Sequence, residues 1–159
     1  MSGQRQLATE AETLALGAAA ARSLPVGAVP FVVELSGELG AGKTTFARGL
    51  LQALGVTRPI RSPSYGLLEH YELEGRQVLH LDLYRLHDPD ELENLGLRDF
   101  HTAGCLWLIE WPERGTGQLP AADARLAFSH DADTHGVELS ALTAAGEEWL
   151  ARLLKGRDS

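Results

Sequence analysis

The feature that most constrains the fold of this chain is a glycine-rich segment between an apolar run and an amphipathic run. The segment reads GELGAGKT over residues 37–44 and matches the pattern G-x-x-x-x-G-K-[ST]. Residues 31–36, FVVELS, are short, apolar and β-branched, which is typical of a buried strand. Apolar side chains then recur at helical spacing from Lys43 to Leu54, and Gly55 is a helix stop. The order of strand, glycine loop and helix predicts an α/β protein.

The residue types in this loop indicate phosphate binding. Glycines let the backbone wrap around a phosphate with its N–H groups pointing inward, and the helix that starts at Lys43 adds its positive end. In this pattern the lysine ammonium reaches the β- and γ-phosphates, and the hydroxyl of Thr44 is a ligand of Mg²⁺. We therefore predict a site for a nucleoside triphosphate with Mg²⁺. Lys43 is one of only two lysines in the chain, the other being Lys155.

The rest of the chain alternates between helical and strand-like patterns. Helices are predicted at 10–23, 43–54, 88–95 and 143–154, and strands at 31–36, 67–73, 77–83, 106–110, 125–129 and 136–142. The first helix is expected to place Leu14, Ala18 and Ala21 on one face, and Asp88 is the expected cap of the third. No repeat, linker or low-complexity tract divides the sequence. We expect a single P-loop domain over residues 1–159, an α/β, P-loop NTPase-like three-layer sandwich with a mixed β-sheet.

Two acidic residues stand at the ends of apolar runs downstream of the loop. Asp82 ends the run VLHLD, and Glu110 ends the run LWLIE. Acids at strand ends point to the edge where open α/β sheets bind ligands. Phosphoryl transfer needs such groups to bind a metal ion or to position water. A lone strand-terminal acid is usually a solvated chain end, whereas two of them after a phosphate loop favour a functional role.

Three other side chains have two interpretations each. His80 either packs in the core, which we favour, or forms a metal-binding pair with Asp82. Arg85 either faces the phosphates or pairs with a local carboxylate. Cys105 lies in the apolar run CLWLI, so we expect a buried small hydrophobe rather than a reactive thiol.

Two segments have alternative interpretations as well. Residues 62–65, SPSY, form either a nucleotide-sensing switch or an ordinary proline turn, and the residues alone favour the turn. The acidic run at 88–93 is interpreted as a solvated helix start, with a protein-docking surface as the alternative.

Composition limits the partners of the chain. With 14 Lys+Arg against 22 Asp+Glu the formal net charge is −8. We expect no direct tight nucleic-acid binding, because such binding needs clustered basic side chains. The first ten residues lack the apolar core of a signal peptide, and no run approaches the ~20 apolar residues of a membrane span. A cytoplasmic protein with no membrane contact is expected, and a single cysteine excludes an intrachain disulfide.

Four motifs follow one another along the chain. They are GELGAGKTT at 37–45, SPSY at 62–65, HLDLYR at 80–85 and IEWPERG at 109–115. In this order and spacing they resemble the TsaE (YjeE) family, small bacterial P-loop ATPases required for threonylcarbamoyladenosine modification of tRNA. Many families share the phosphate loop, whereas the other three motifs together are much more specific. The resemblance covers nearly the whole chain.

The resemblance implies a role for each matching residue. Lys43, Asp82 and Glu110 would be catalytic: Lys43 holds the phosphates, Asp82 helps to position water near the γ-phosphate, and Glu110 binds Mg²⁺ with Thr44. Thr13 would reach the base. The nucleotide-binding positions would be Thr13, Gly37, Glu38, Leu39, Gly40, Ala41, Gly42, Lys43, Thr44, Thr45, Trp111, Arg114 and Gly115. The switch would be formed by Ser62, Ser64 and Tyr65, with Ser64 in place of the threonine that is common in the family.

The resemblance also implies an ATPase with low activity of its own that acts with the partner proteins TsaD and TsaB. A small-molecule P-loop kinase is the main alternative. Such kinases usually carry an arginine-rich lid, and here Arg114 stands alone in the loop after the strand at 106–110. A non-catalytic nucleotide-dependent binding module is the third hypothesis, and it would need neither Asp82 nor Glu110.

Overall fold

A seven-stranded mixed sheet forms the centre of the molecule. A computed structural model describes residues 2–25, 30–60, 63, 67–102, 104–130 and 135–155. The strands are β1 (Ser2–Gln6), β2 (Phe31–Ser36), β3 (Leu68–Leu73), β4 (Arg76–Asp82), β5 (Cys105–Glu110), β6 (Ala124–His130) and β7 (His135–Ala141). They lie in the order β1-β7-β6-β2-β5-β4-β3. Strands β6, β2, β5 and β4 are parallel to their neighbours in this group, and β1, β7 and β3 pair antiparallel.

Helical segments cover both faces of the sheet. The α-helices are α1 (Glu10–Arg22), α2 (Lys43–Ala53) and α3 (Ala144–Lys155), and their apolar side chains join the larger core cluster on one face. The other face is covered by three 3₁₀ helices, Pro89–Leu95, Leu97–Phe100 and Pro112–Gly115, around a second cluster that contains Trp107. The predicted α/β three-layer sandwich with a mixed sheet is confirmed. No helix in the described part of the chain is long and apolar enough to span a membrane.

Helices α1 and α2 cross in direct backbone contact at two glycines. A Cβ added at Gly49 would lie 2.3 Å from the carbonyl oxygen of Leu14, and one added at Gly17 would lie 2.3 Å from the carbonyl oxygen of Phe46. Neither position has room for a side chain. Because α2 begins at Lys43, this crossing also fixes the position of the glycine loop relative to the sheet.

Asp123, the residue before β6, links strand β2 to the start of α3 by hydrogen bonds. Its Oδ2 accepts a hydrogen bond from the Val32 amide at 2.9 Å, and its Oδ1 accepts one from the Thr143 hydroxyl at 2.7 Å. The Asp123 amide donates to the Val32 carbonyl at 2.8 Å, and the Asp123 carbonyl accepts from the Leu142 amide at 2.9 Å. The Asp123 side chain therefore holds β2 and the residues that lead into α3 in one place.

Cys105 is the first residue of β5 and is 2% exposed. Burial raises the pKa of its thiol from 9.0 to about 11. The prediction of a buried small hydrophobe is confirmed.

The structure adds one strand that was not predicted and specifies the type of one predicted helix. Residues 2–6 form the edge strand β1, although their side chains are polar, because the backbone pairs with β7. The segment predicted as a helix at 88–95 is a 3₁₀ helix rather than an α-helix, although Asp88 caps it as predicted: its Oδ1 accepts from the Asp90 amide at 3.0 Å. The other predicted helices and strands are confirmed to within one residue at each end.

The apolar spacing that predicts α1 coincides with only part of the buried face of this helix. Ala21 is buried, but Leu14 and Ala18 are only half-buried. The buried face consists of Thr13, Leu16, Gly17, Ala20 and Ala21. The reason is the crossing with α2, which requires a glycine at the point of closest approach.

Candidate functional site

The glycine loop takes a conformation that requires glycine at specific positions. Gly37, Gly40 and Gly42 have φ values of 133°, 79° and 113°, in the left-handed region that favours glycine. A Cβ on Gly37 would lie 2.4 Å from the carbonyl oxygen of Phe128. Gly42 caps α2 without a side-chain hydrogen bond, so the first amides of the helix have no side-chain cap. A helix start of this kind suits an anion.

Lys43 is the first residue of α2 and is 4% exposed. Its Nζ donates a hydrogen bond to the Gly37 carbonyl and lies 3.7 Å from the centroid of the Trp111 ring. Burial lowers the pKa of Lys43, while the carboxylates of Glu110, Asp82 and Glu113 act in the opposite direction. The loop therefore holds one buried amine next to carboxylates.

The two strand-end acids stand side by side. Asp82 ends β4, Glu110 ends β5, and the two are partners in the parallel register. Both side chains are buried. Because the neighbouring Val78 and Leu108 belong to the larger core cluster, strand alternation places both acids on the face that α2 covers. The hydroxyl of Thr44, in the first turn of α2, donates to Glu110 Oε1 at 3.2 Å.

These residues border one cavity of about 370 Å³, a size within the usual range of ligand pockets. Its lining consists of Leu39, Gly40, Gly42, Lys43, Thr44, Thr45, Asp82, Tyr84, Arg85, Glu110 and Trp111. Leu39, at the loop tip, is 59% exposed. The structure thus brings together the loop, both acids and Trp111 as the sequence predicts, and it adds Tyr84 to them.

Two aromatic side chains, Trp111 and Tyr84, form one wall of this cavity, and the Arg114 guanidinium packs against them without belonging to the lining. Trp111 has φ 59° and ψ 50°, a left-handed conformation that is rare for a bulky residue. Its ring centroid lies 5.0 Å from that of Tyr84, and the Arg114 guanidinium lies 5.3 Å from the Tyr84 ring and 5.6 Å from the Trp111 ring. Backbone strain of this kind concentrates at functional sites.

His80 makes a contact that sequence reasoning missed. It is 0% exposed, and its Nε2 lies 2.7 Å from Glu110 Oε2. The expected core position is confirmed, and no group of three or more metal-ligating side chains is found among the described residues. The signal for this contact was the two-residue spacing of His80 and Asp82, which puts both on one face of β4.

Several predicted nucleotide-binding residues do not line the cavity. Thr13 is buried, its hydroxyl donates to the Thr9 carbonyl at 3.5 Å, and its methyl group would lie 3.6 Å from a Cβ added at Gly42. Ala41 is buried in the core, and Gly115 packs tightly against leucine side chains. Gly37, Glu38 and Arg114 are also outside the cavity lining. The predicted switch residues Ser62, Ser64 and Tyr65 lie outside the described residues.

The mixed sheet, with a glycine loop that joins a central parallel strand to a helix, defines an α/β protein of the P-loop type. A family model described as "Threonylcarbamoyl adenosine biosynthesis protein TsaE" matches residues 7–138. The chain therefore belongs to the TsaE family, which acts in the biosynthesis of threonylcarbamoyladenosine in tRNA.

Similar proteins agree with this assignment. The chain is 46% identical over 116 residues to "tRNA threonylcarbamoyladenosine biosynthesis protein TsaE" of Haemophilus influenzae, a match that covers 73% of each chain. It is 37% identical over 123 residues to the protein of the same name from Streptomyces coelicolor, covering 74% of this chain and 82% of that one. The crystal structure of Bacillus subtilis YdiB superposes with a TM-score of 0.75 at 26% identity, covering 99% of this chain and 97% of that one.

Proposed function

We propose that this chain binds and hydrolyses ATP with Mg²⁺ as an accessory subunit for threonylcarbamoyl modification of adenosine in tRNA. The observation that carries the proposal is that Lys43, Thr44, Asp82 and Glu110 border one cavity, although they come from three separate segments of the chain. Family membership supplies the pathway.

The loop and the start of α2 bind the phosphates in this proposal. The backbone amides around Gly42 have no side-chain cap and donate to phosphate oxygens. Lys43 exchanges its contact with the Gly37 carbonyl for the β- and γ-phosphates, where its charge is closest to the transferred group.

Thr44 and Glu110 are the residues that would hold Mg²⁺. A hydroxyl and a carboxylate are the hard oxygen donors that Mg²⁺ prefers, and their oxygens lie 3.2 Å apart. Asp82 and Glu110 also give this cavity two acids, so a polyphosphate that enters it needs a cation to offset the negative charge. When bound, Mg²⁺ neutralises charge on the phosphate oxygens.

Asp82 positions the attacking water. Its Oδ1 accepts a hydrogen bond from the Tyr84 amide at 3.0 Å, which fixes the orientation of the carboxylate. A carboxylate held in this way can accept a hydrogen bond from water and direct its lone pair toward the γ-phosphate.

The output of the chain is a nucleotide-dependent association with TsaD and TsaB. A net charge of −8 disfavours a direct grip on tRNA, so the partners hold the RNA while this subunit handles ATP. Leu39 offers a partner an exposed apolar contact next to the nucleotide cavity.

Lys43→Ala tests the phosphate site, and Lys155→Ala, at the exposed end of α3, is the matched control. Loss of a charge-assisted hydrogen bond worth about 1.5–3 kcal/mol should weaken ATP binding by about 10- to 100-fold. Isothermal titration calorimetry should show this loss for Lys43→Ala and unchanged affinity for Lys155→Ala. Equal affinity in both variants would overturn the phosphate-site assignment.

Two further measurements separate hydrolysis from binding. Glu110→Ala should still bind ATP without Mg²⁺ but lose Mg²⁺-dependent release of phosphate, and turnover at the unsubstituted rate would reject its metal role. Purified TsaB–TsaD complex should accelerate phosphate release by the unsubstituted chain. No acceleration would contradict the accessory role, and label from the γ-phosphate on a small acceptor would favour the kinase alternative.

A further inference from the structure

A buried histidine holds the carboxylate that we assign to Mg²⁺. His80 Nε2 lies 2.7 Å from Glu110 Oε2, and the Thr44 hydroxyl donates to the other oxygen, Oε1, at 3.2 Å. With His80 in the tautomer that carries its proton on Nε2, Glu110 accepts a hydrogen bond on each of its two oxygens. The two oxygens face different directions, one toward the core of the sheet and the other toward α2.

The position of His80 shows that it cannot contact a ligand in the cavity itself. It is fully buried, it is absent from the cavity lining, and in the parallel register it pairs with Leu108, two residues before Glu110 on β5. The hydrogen-bond contact that links the His80 side chain to a residue of the cavity lining is the one with Glu110.

Packing alone does not account for an imidazole at this position. Within the described part of the chain, His80 Nδ1 is buried and has no hydrogen-bond partner. An unsatisfied buried polar atom lowers stability, and an apolar side chain here would avoid that cost. The residue before His80 on the same face of β4, Val78, is apolar and fully buried. A polar residue that breaks this local pattern is expected where function requires it.

The terminal torsion of a glutamate side chain has no sharp preferred value. A hydrogen bond to one oxygen fixes the plane of the carboxylate and therefore the direction of the second oxygen. We propose that His80 is a positioning residue, which holds Glu110 so that Oε1 faces Thr44 and is ready to bind the divalent cation of the nucleotide complex. This inference rests on the proposed role of Glu110 as a Mg²⁺ ligand.

A pair of amide substitutions tests the inference. In His80→Gln the amide nitrogen can take the place of Nε2, whereas in His80→Asn the shorter side chain places it near Nδ1, out of reach of Glu110. Val78→Ala, a buried truncation on the same face of β4, is the control for a loss of packing. The readouts are the affinity for ATP in EDTA and the Mg²⁺ concentration that gives half of the Mg²⁺-dependent gain in ATP affinity.

The expected results separate positioning from packing. His80→Asn should raise the half-saturating Mg²⁺ concentration by about 10- to 100-fold, the usual effect of losing a group that orients a metal ligand. His80→Gln should stay within about threefold of the unsubstituted chain, and ATP affinity in EDTA should be unchanged in both. Val78→Ala should lower the melting temperature without changing the Mg²⁺ requirement.

Equal Mg²⁺ requirements in the Gln and Asn variants, whether both normal or both raised, would overturn the positioning role, as would a shift of the same size in Val78→Ala. If either histidine variant fails to fold while Val78→Ala folds, His80 is needed for folding and the positioning role is rejected. Glu110→Ala distinguishes the two proposals, because an unchanged Mg²⁺ requirement in that variant would refute the metal role of Glu110 itself.

Discussion

Replacing Gly49 with alanine tests whether α1 and α2 are in backbone contact. By helix propensity alone, alanine inside α2 would be stabilising by about 0.5–1 kcal/mol. The added Cβ, however, would lie 2.3 Å from the carbonyl oxygen of Leu14 and 2.9 Å from its carbonyl carbon and Cα. Real Cβ contacts are essentially never shorter than 3.0 Å, so this contact must lengthen from 2.3 to at least 3.0 Å.

No side-chain rotation can relieve this overlap, because the opposing atoms belong to the backbone. The helices must move apart, which loosens the core cluster that Leu50 and Leu51 of α2 join. Overpacking in a dense core costs typically 1–3 kcal/mol. Three backbone atoms of Leu14 lie closer than 3.0 Å to the added Cβ, so the upper part of that range, about 2–3 kcal/mol, applies. After the gain in propensity is subtracted, we expect Gly49→Ala to lower the free energy of unfolding by about 1–2.5 kcal/mol and the melting temperature by about 2–10 °C.

Urea and thermal unfolding measure this change, with Gln52→Ala, at an exposed position of the same helix, as the control. The control is expected to stay within about 0.5 kcal/mol of the unsubstituted chain. Because α2 carries Lys43 and Thr44, Gly49→Ala should also weaken ATP binding. A Gly49→Ala chain as stable as the unsubstituted one, or more stable, would refute the backbone contact. Helix propensity alone predicts a gain in stability, whereas the steric overlap predicts a loss.

Three other predictions concern burial, hydrogen bonding and loop geometry. Cys105 should not react with a thiol reagent in the folded protein. The free energy of unfolding should fall by on the order of 2 kcal/mol as pH rises from 9 to 11, because the native thiol keeps a proton that the unfolded chain loses. Chemical unfolding at each pH measures this dependence, and Cys105→Ala should remove it. Asp123→Ala should lower the free energy of unfolding by about 2–4 kcal/mol in urea, since it leaves a buried β2 amide without its acceptor, and a loss below 1 kcal/mol would contradict that bond. Gly37→Ala should lower the melting temperature more than Gly40→Ala. Both residues have positive φ, but only a Cβ at Gly37 would meet a backbone oxygen, that of Phe128 at 2.4 Å. Equal melting temperatures of the two variants would show that no such contact exists.

Local chemistry made most of the candidate site predictable. The glycine loop, Lys43 and Thr44 are contiguous, so their arrangement follows from one strand, one turn and one helix. Asp82 and Glu110 could be placed beside them because the carboxyl ends of parallel strands meet at one edge of a sheet. Because glycine, proline and capping residues act locally, the boundaries of the predicted elements fall within one residue of those observed almost everywhere.

Features that depend on contacts between distant segments were not predictable. The strand β1 has a polar sequence, and its existence depends on a backbone partner more than 130 residues away, with Ser2 opposite Ser140. The bond between His80 and Glu110 requires β4 and β5 to be neighbours in a known register. Gly17 weakens an isolated helix, yet it is the point where α1 meets α2, so the buried face of α1 could not be read from apolar spacing alone.

The pairing of β1 with β7 has a consequence for how the chain folds during synthesis. Among the described strands of this sheet, Ser2–Gln6 is made before the others, whereas its partner His135–Ala141 is made after them. At roughly 5–20 residues per second, β1 waits on the order of 10 s for that partner. The strands that carry the site, β2, β4 and β5, are complete by residue 110. A nascent chain therefore holds every side chain of the cavity before β7 exists to pair with β1.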